Sequence, residues 1–223
     1  MLIKVCGMRD ADNIHAVEQL GVDLIGFVFD PRSPRYVEMQ SSRAGILPDY
    51  ASADLTADRF APSRVGVFVD DMPQNIVTRV YNFSLDYVQL HGHESRVMIE
   101  NLRRTLDPDI RPGIKIIKAI RIESAADLDR TSDYEGVVDL FLFDTKTALA
   151  GGSGKQFDWT VLDAYQGDTP FLLSGGIGPD DLERVKAFHH PRCIGVDLNS
   201  RFETSPAVKD IDLLRPFVAE LRR

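Results

Sequence analysis

Eight short apolar runs of the kind that form β-strands recur along the sequence at nearly even spacing. Ile3 and Cys193 lie about 190 residues apart, which leaves about 27 residues per interval, enough for a strand, a helix and two loops. Several runs are almost continuously apolar, as is typical of parallel strands buried on both faces. The predicted strands lie near Ile3–Val5, Leu24–Phe29, Val65–Val69, Tyr87–Leu90, Ile114–Ala119, Leu140–Phe143, Phe171–Leu173 and Cys193–Val196.

The segments between these runs have apolar residues at helical spacing. Asp12–Leu20 and Asp180–Phe188 both carry apolar side chains about three residues apart. Pro179 and Pro206 stand where a helix accepts proline in its first turn. Eight strand–helix units predict an α/β fold, a single (β/α)8 TIM barrel over residues 1–223, with an open doubly wound sheet as the alternative.

Length and composition argue against several other classes of protein. The chain has 223 residues, of which 43% are hydrophobic and 27% charged, as in ordinary globular domains. Its formal net charge of −8 argues against nucleic-acid binding, and no apolar run reaches the ~18 residues of a membrane helix. Because there are only two cysteines and no signal-peptide pattern, we expect a cytoplasmic protein without a disulfide scaffold, a zinc cluster or a membrane partner.

Polar and glycine residues follow the predicted strands at their carboxyl ends. In a (β/α)8 barrel these ends form the rim that carries the active site, so we expect the chemistry there. The residues are Cys6 and Gly7 after strand 1, Arg35 and Tyr36 after strand 2, Asp70 after strand 3, Gln89 and His91 at strand 4, Lys118 and Arg121 at strand 5, Asp144 after strand 6, Gly175 and Gly176 after strand 7, and Asn199 and Ser200 after strand 8.

The loops after strands 7 and 8 have the features of a phosphate site. Gly175 and Gly176 allow the backbone to approach an anion, and a short helix after strand 8 would direct its positive end to the same place. A simple glycine turn is the alternative. Gly151–Lys155 does not match the nucleotide-binding pattern, so we interpret it as a flexible loop and a candidate lid. Ser42–Ser63 has little pattern, and we expect an irregular or lengthened helix and loop there.

Four of the rim residues have a structural explanation as well as a functional one. Cys6 could be a packed small residue, but its place beside Gly7 on the rim also suits a reactive thiol. Asp144 could cap a helix, or it could be an acid whose pKa is raised by apolar surroundings. His91 could be a buried core histidine. Arg35 could be an ordinary loop residue, or a cation that binds an anionic substrate.

Seven short motifs occur in register along the chain. They are Lys4-Val5-Cys6-Gly7, Gly26-Phe27-Val28-Phe29 with Ser33-Pro34-Arg35-Tyr36-Val37, Val88-Gln89-Leu90-His91-Gly92, Phe143-Asp144-Thr145, Gly151-Gly152-Ser153-Gly154-Lys155 with Phe157-Asp158-Trp159, Ser174-Gly175-Gly176-Ile177, and Gly195-Val196-Asp197. Together, from residue 3 to about residue 210, they resemble the phosphoribosylanthranilate isomerases of tryptophan biosynthesis.

This resemblance implies the Amadori rearrangement of N-(5-phosphoribosyl)anthranilate to 1-(o-carboxyphenylamino)-1-deoxyribulose 5-phosphate, without a cofactor or metal ion. By motif, Cys6 would be the general base, Asp144 the general acid, and Arg35 the residue that binds the substrate carboxylate. A monomer or a homodimer would suit a barrel of this size. The other expected ligands are Gln89 and His91 for the substrate, and Gly175, Gly176, Asn199 and Ser200 for its phosphate.

One position departs from the family pattern. After strand 8 the family commonly has Asp-x-Ser-Ser-Gly-x-Glu, whereas this chain has Asp197-Leu198-Asn199-Ser200-Arg201-Phe202-Glu203. Arg201 therefore replaces a glycine that would let the backbone come close to the phosphate. We expect the Arg201 side chain to point outward while the backbone still donates its N–H groups. The alternative is that it turns inward and its guanidinium takes over part of the phosphate binding.

Other phosphate-binding barrels remain as alternatives. Indole-glycerol-phosphate synthase relies on rim lysines, whereas the first strand here ends in Cys6, and Lys118 is a weaker match. A histidine-pathway isomerase would carry paired aspartates on strands 1 and 5. A non-catalytic binder of phosphorylated ligands would keep the Gly175-Gly176 pair but would need neither Cys6 nor Asp144.

Overall fold

The computed structural model describes residues 1–38, 61–145 and 157–223, and in these residues eight parallel strands close into a barrel. They are β1 (Leu2–Cys6), β2 (Leu24–Val28), β3 (Ser63–Phe68), β4 (Tyr87–Leu90), β5 (Lys115–Arg121), β6 (Leu140–Asp144), β7 (Phe171–Ser174) and β8 (Cys193–Leu198). Each strand pairs with the next, and β1 also pairs with β8. This closure excludes the open sheet and confirms the predicted (β/α)8 barrel.

Helices follow most of the strands, and those of the described residues are of two kinds. The α-helices are α1 (Ala11–Glu18), α2 (Pro73–Asn82), α3 (Arg96–Leu106), α4 (Leu182–Ala187) and α5 (Ile211–Arg222). The 3₁₀-helices are Ala125–Asp133, Trp159–Ala164, Pro179–Asp181 and Ser200–Phe202. The segments after β5 and β6 therefore carry 3₁₀-helices where α-helical segments were predicted.

Side-chain hydrogen bonds explain the 3₁₀ conformation after β5. Thr131 Oγ1 donates to the carbonyl oxygen of Leu128 at 2.6 Å, and Ser132 Oγ donates to that of Asp129 at 2.7 Å. Short polar side chains that bond to nearby backbone compete with the α-helical ladder. Three such residue types within nine positions therefore favour tighter turns in Ala125–Asp133.

The two prolines predicted to begin helices have different outcomes. Pro179 does begin a 3₁₀-helix, which leads directly into α4. The prediction for Pro206 is wrong, because this residue lies in the turn between two short antiparallel strands, β9 (Glu203–Ser205) and β10 (Val208–Lys209). The helix begins further on, at α5, where the Asp210 side chain accepts hydrogen bonds from the first-turn backbone.

Apolar residues form two clusters, one on each face of the barrel wall. The cluster inside the barrel contains Leu24, Val65, Ile117, Ala119, Leu140, Leu142 and Leu172, with Leu2 packed against it. The cluster between the wall and the helices contains Ile3 and Val5. Because side chains alternate along a strand, Lys4 and Cys6 share the inward face of Leu2. The inward-facing residues of β1 therefore run from Leu2 through Lys4 to Cys6 at the rim.

Two predicted segments lie wholly or partly outside the described residues. They are the candidate lid Gly151–Lys155 and residues 42–60 of the irregular segment, whose last residue, Ser63, begins β3. Among the residues that the structure describes, no helix is long and apolar enough to cross a membrane.

Candidate active site

Cys6 is the last residue of β1, and its thiol lies in a narrow space at the rim. The residue is only 4% exposed. The neighbouring strand makes the space, because Gly26 pairs with Cys6 and a Cβ on Gly26 would lie 2.7 Å from Cys6 Sγ. Gly7 then turns the chain with a positive φ of 79°, and a Cβ there would lie 2.5 Å from Arg35 Cδ. Two glycines thus allow the thiol and an arginine to share one corner of the rim.

Four charged side chains act on the Cys6 thiol. Lys4 Nζ donates a hydrogen bond to Asp197 Oδ1 at 2.7 Å, and both side chains are buried. Lys209 and Arg35 add two further positive charges. Burial raises the pKa of the Cys6 thiol. The charges of Lys4 and Lys209 lower this pKa, and that of Asp197 raises it, so that the pKa lies above its ordinary value. The neighbouring cations therefore oppose the effect of burial without cancelling it.

Asp144 is the last residue of β6 and lies on the same rim as Cys6. It shares the inward face of Leu140 and Leu142, which belong to the cluster inside the barrel. The residue is 8% exposed. Its carboxylate is 3.8 Å from His91 Nε2, measured to Oδ2. A buried carboxyl group that faces the barrel mouth can deliver a proton to a bound ligand.

Gln89 and His91 come from β4 and the loop after it. Gln89 is 2% exposed, and its Oε1 makes no hydrogen bond within the described part of the chain. A buried amide oxygen without a partner is costly, so a ligand hydroxyl or N–H group would stabilise it. Burial lowers the pKa of His91, and Asp144 only partly opposes this. The imidazole is therefore neutral at neutral pH.

A buried ion pair fixes the loop that carries His91. Lys118 Nζ donates to Glu94 Oε2 at 2.8 Å and to the carbonyl oxygen of Gly92 at 2.7 Å. Glu94 Oε1 in turn accepts hydrogen bonds from the backbone N–H groups of Asp70 and Gly92. The loops after β3 and β4 are therefore joined through one carboxylate, which holds the backbone next to His91 in place.

Lys118 does not face the barrel interior. Its strand neighbours at two residues on either side, Ile116 and Ile120, belong to the cluster between the wall and the helices. Lys118 shares their outward direction. This argues against a catalytic role for Lys118, which was already a weak match to the rim lysines of indole-glycerol-phosphate synthase.

Arg35 is held by Glu203, which lies after β8. Arg35 Nε donates to Glu203 Oε1 at 2.8 Å, and Arg35 Nη2 donates to Oε2 at 2.5 Å. Lys209 Nζ donates to the same carboxylate at 2.5 Å. Burial raises the pKa of Glu203, but the two cations lower it below the ordinary value. Arg35 Nη1 has no hydrogen bond to any described residue, so this side of the guanidinium can meet an anionic ligand.

Gly175 and Gly176 form an open backbone turn after β7. Their φ angles are +110° and +73°, which only glycine adopts easily. Their backbone N–H groups donate no hydrogen bond within the described residues. A Cβ on Gly175 would lie 2.5 Å from the backbone nitrogen of Thr145, directly after Asp144. The turn thus has the free donors of an anion site and packs tightly against the end of β6.

The loop after β8 offers less than the sequence predicts. The expected short helix is a single 3₁₀ turn, Ser200–Phe202. The side-chain oxygen of Asn199 accepts a hydrogen bond from Lys209 Nζ at 2.9 Å, so it is already engaged. Any contact between Asn199 and a phosphate would therefore involve its backbone or its amide nitrogen.

Arg201 is exposed but stays beside the loop after β7. A Cβ on Gly178 would lie 3.1 Å from Arg201 Nε and 3.3 Å from its Cβ. Within the described residues the guanidinium makes no hydrogen bond or ion pair. The side chain is thus exposed but remains close to the glycine turn, so its direction relative to a bound phosphate stays a prediction.

Several buried charged residues of the site, Asp197 and Glu94 among them, were not predicted from the sequence. Lys4 could have been found, because a lysine two residues before Cys6 in an apolar strand must share its face. Glu203 lies in the segment after β8, but its sequence context indicates no role. Lys209 has no local signal, because its position depends on Asn13 of α1, whose side chain bonds to both backbone groups of Lys209 at 2.7 and 2.9 Å.

The opposite rim of the barrel carries a separate cavity of about 360 Å³. It is mostly apolar and lies between α4 and the beginning of β8, where Cys193 is found. None of the rim residues described above lines it. Among the described residues, no group of three or more His, Cys, Asp or Glu side chains could hold a metal ion.

The chain was compared with known protein families and proteins. Residues 3–220 match the family model described as N-(5'-phosphoribosyl)anthranilate (PRA) isomerase. A protein of that name from Parabacteroides distasonis is 43% identical over 221 residues, which cover 99% of this chain and 93% of the relative.

Solved structures of the same kind resemble this barrel. One is phosphoribosyl anthranilate isomerase in complex with reduced 1-(o-carboxyphenylamino)-1-deoxyribulose 5-phosphate, with a TM-score of 0.75 and 26% identity. Another is described as monomers generated from the dimeric Thermotoga maritima protein, again with a TM-score of 0.75 and 26% identity. Both comparisons cover 100% of this chain and 98% of the solved chain.

Proposed function

We propose that this chain, which belongs to the N-(5'-phosphoribosyl)anthranilate isomerase family, uses Cys6 as general base and Asp144 as general acid. The reaction is the isomerisation of N-(5'-phosphoribosyl)anthranilate in tryptophan biosynthesis. The observation that carries the proposal is that a buried thiol ends β1 and a buried carboxyl group ends β6, both on one rim. The acid and the base therefore lie on different strands at the same end of the barrel.

Asp144 acts first in this scheme. The aminofuranose ring opens when its ring oxygen takes a proton and the bond from C1′ to that oxygen breaks. The substrate nitrogen then shares the positive charge with C1′ as a Schiff-base cation. Asp144 must hold a proton to begin this step, and its buried carboxyl group lies at the barrel mouth above the inner residues Leu140 and Leu142.

Cys6 acts second. It removes the proton from C2′, and the resulting enolamine tautomerises to the ketone product. Burial keeps the pKa of Cys6 above its ordinary value. The Schiff-base cation formed in the first step adds a positive charge next to Lys4 and Lys209, and so favours the thiolate when it is needed.

The two ends of the substrate are held by different parts of the rim. The free N–H groups of Gly175 and Gly176 bind the phosphate, and Ser200 and Asn199 close the same side. Arg35 Nη1 binds the anthranilate carboxylate, while Glu203 keeps the guanidinium in one orientation. Holding both ends places the ribose between acid and base. Gln89 and His91 complete the wall beside the sugar.

The remaining properties follow from this assignment. We treat residues 1–223 as one catalytic barrel, located in the cytoplasm and active as a monomer or a homodimer. The acid–base scheme requires no cofactor and no metal ion, because one proton donor and one proton acceptor are enough.

Replacement of Asp144 by asparagine tests the assignment. With substrate generated in situ, Asp144→Asn should lose turnover, because an amide keeps the shape but has no acidic proton. Asp168→Asn is the control, since it removes the same charge from a side chain that is 92% exposed on the opposite rim. If Asp144→Asn keeps wild-type turnover, the acid is another group. If it unfolds, Asp144 is structural.

A further inference from the structure

One of the fully buried charges in the described part of the chain lies directly below the proposed base. The Lys4 side chain is fully buried, and Asp197 beside it is 7% exposed. Lys4 and Cys6 are two residues apart on β1, so their side chains lie on one face with a rise of about 6.6 Å between them. Charged groups are almost never buried so completely without a function or a partner.

The surrounding contacts hold this lysine in one place. Lys4 Nζ donates to Asp197 Oδ1 at 2.7 Å, and Asp197 Oδ2 accepts a hydrogen bond from Ser174 Oγ at 3.1 Å. The charge of the ammonium group also acts on the thiol of Cys6, which lies on the same face of β1. Three strands, β1, β7 and β8, therefore meet at one ion pair under the site.

We infer that the Lys4–Asp197 pair sets the proton affinity of the Cys6 thiol, with Lys4 favouring the thiolate and Asp197 limiting its effect. Both are positioning residues, because they act on the substrate only through Cys6. This inference rests on the proposed role of Cys6 as the base. It goes further by naming the source of the positive charge that the thiolate needs within the barrel wall.

The other charged groups near Cys6 are different in character. Lys209 of β10 and Arg35 of the loop after β2 both face the thiol, but both are hydrogen-bonded to Glu203. On the fourth side, β2 contributes Gly26 and no charge. Lys4 shares its strand face with the thiol and has a fixed partner of its own, so its effect can be changed without disturbing the residues that hold Arg35.

The charge states of Lys4 and Cys6 are consistent with this inference. Burial alone lowers the pKa of Lys4, but Asp197 and Cys6 raise it above the ordinary value. The lysine therefore remains charged at neutral pH. For the thiol, Lys4 is the largest influence that opposes burial.

Two variants that differ only in the Lys4 charge test the inference. They are Asp197→Asn and the double variant Lys4→Met/Asp197→Asn, both in a Cys193→Ser background so that Cys6 is the only thiol. The asparagine oxygen can still accept from Ser174. The Cys6 pKa is measured directly from the ultraviolet absorbance of the thiolate as a function of pH.

The expected pKa values have a definite order. Asp197→Asn should titrate lowest, because Lys4 then acts unopposed, the background protein should be intermediate, and the double variant should titrate highest. The two variants should differ by at least about one pH unit, the effect of one charge at 4–6 Å. The kinetic pKa assigned to Cys6 in the kcat/KM profile should move in the same order.

Equal thiol titrations in the two variants would overturn the inference, even if activity is lost. Should the double variant fail to fold, Asp197→Asn decides alone, and a thiol pKa at or above that of the background protein would overturn it. If the thiol titrations shift as expected while the kcat/KM profile does not follow, the action of Lys4 on the thiol is supported. In that case Cys6 is not the base, and the proposed function fails separately.

Discussion

Replacement of Gly175 by alanine should disturb both the proposed phosphate loop and the proposed acid, Asp144. Gly175 has a φ of +110°, and a Cβ there would lie 2.5 Å from Thr145 N and 2.7 Å from Thr145 C. These are backbone atoms, and Thr145 N and Oγ1 both donate to the Ser174 carbonyl, at 3.0 and 2.7 Å. Thr145 cannot move without moving Asp144, so the substitution should lower kcat as well as raise KM.

Gly176 supplies the matched control. It also has a positive φ, +73°, but a Cβ there would meet nothing within 4 Å. Gly176→Ala should cost only the left-handed backbone, about 1–2 kcal/mol. Gly175→Ala should cost about 1–3 kcal/mol more, the usual cost of overpacking. For a protein of this size that difference lowers Tm by a further 2–12 °C or so.

Thermal unfolding and steady-state kinetics of the two variants make the comparison. We expect Gly175→Ala to have the lower Tm and a reduced kcat, and Gly176→Ala to keep a kcat near that of the wild type. If the two variants have the same Tm and the same kcat, the turn does not pack against the end of β6, and our description of the phosphate loop is wrong.

Three other substitutions test single contacts. Arg35→Met should raise KM about ten- to a hundred-fold, the equivalent of about 1.5–3 kcal/mol for a charge-assisted bond, with a smaller change in kcat; an unchanged KM would refute the carboxylate contact. Arg201→Gly should change KM by no more than about two-fold, whereas a loss of ~1.5 kcal/mol or more would show that the guanidinium binds phosphate. Glu203 has a pKa below its ordinary value, so its stabilising effect is present above the unfolded pKa and is lost as the pH falls through the folded pKa. Below about pH 5, the free energy of unfolding should therefore decrease less steeply with falling pH for Glu203→Gln than for the wild type. Urea unfolding at several pH values measures this, and the same pH dependence in both proteins would contradict the prediction.

The strands of this barrel are predictable from sequence because both of their faces are buried. A run such as Leu140–Phe143 is apolar at every position. It forms β6, which continues for one more residue, to Asp144. The barrel closure followed from the number and spacing of such runs. Rim residues were found for the same reason, since the carboxyl end of each strand is marked by a change from apolar to polar residues.

The helices and the end of the chain were less predictable. Pro206 suits the first turn of a helix as well as it suits a hairpin turn, and nothing in its neighbourhood decides between them. The hairpin is stabilised by Asn13, which lies 196 residues before Lys209 and forms hydrogen bonds with its backbone. Such long-range contacts leave no periodic pattern in the sequence.

The charged network of the site was largely invisible for a related reason. Lysine and glutamate are usually read as surface residues. The partners of Arg35 and Lys4 lie 168 and 193 residues away. Only the alternation of side chains on β1, which places Lys4 on the same face as Cys6, is a local signal.

The most direct test of the account is the turnover number of Cys6→Ser. A hydroxyl group is a far poorer base than a thiolate, so kcat should fall by at least about a hundred-fold, the usual share of one acid–base group. The variant should still bind reduced 1-(o-carboxyphenylamino)-1-deoxyribulose 5-phosphate, and Cys193→Ser, on the opposite rim, should behave as the wild type. A Cys6→Ser variant whose kcat stays close to that of the wild type would contradict the assignment of Cys6 as the base.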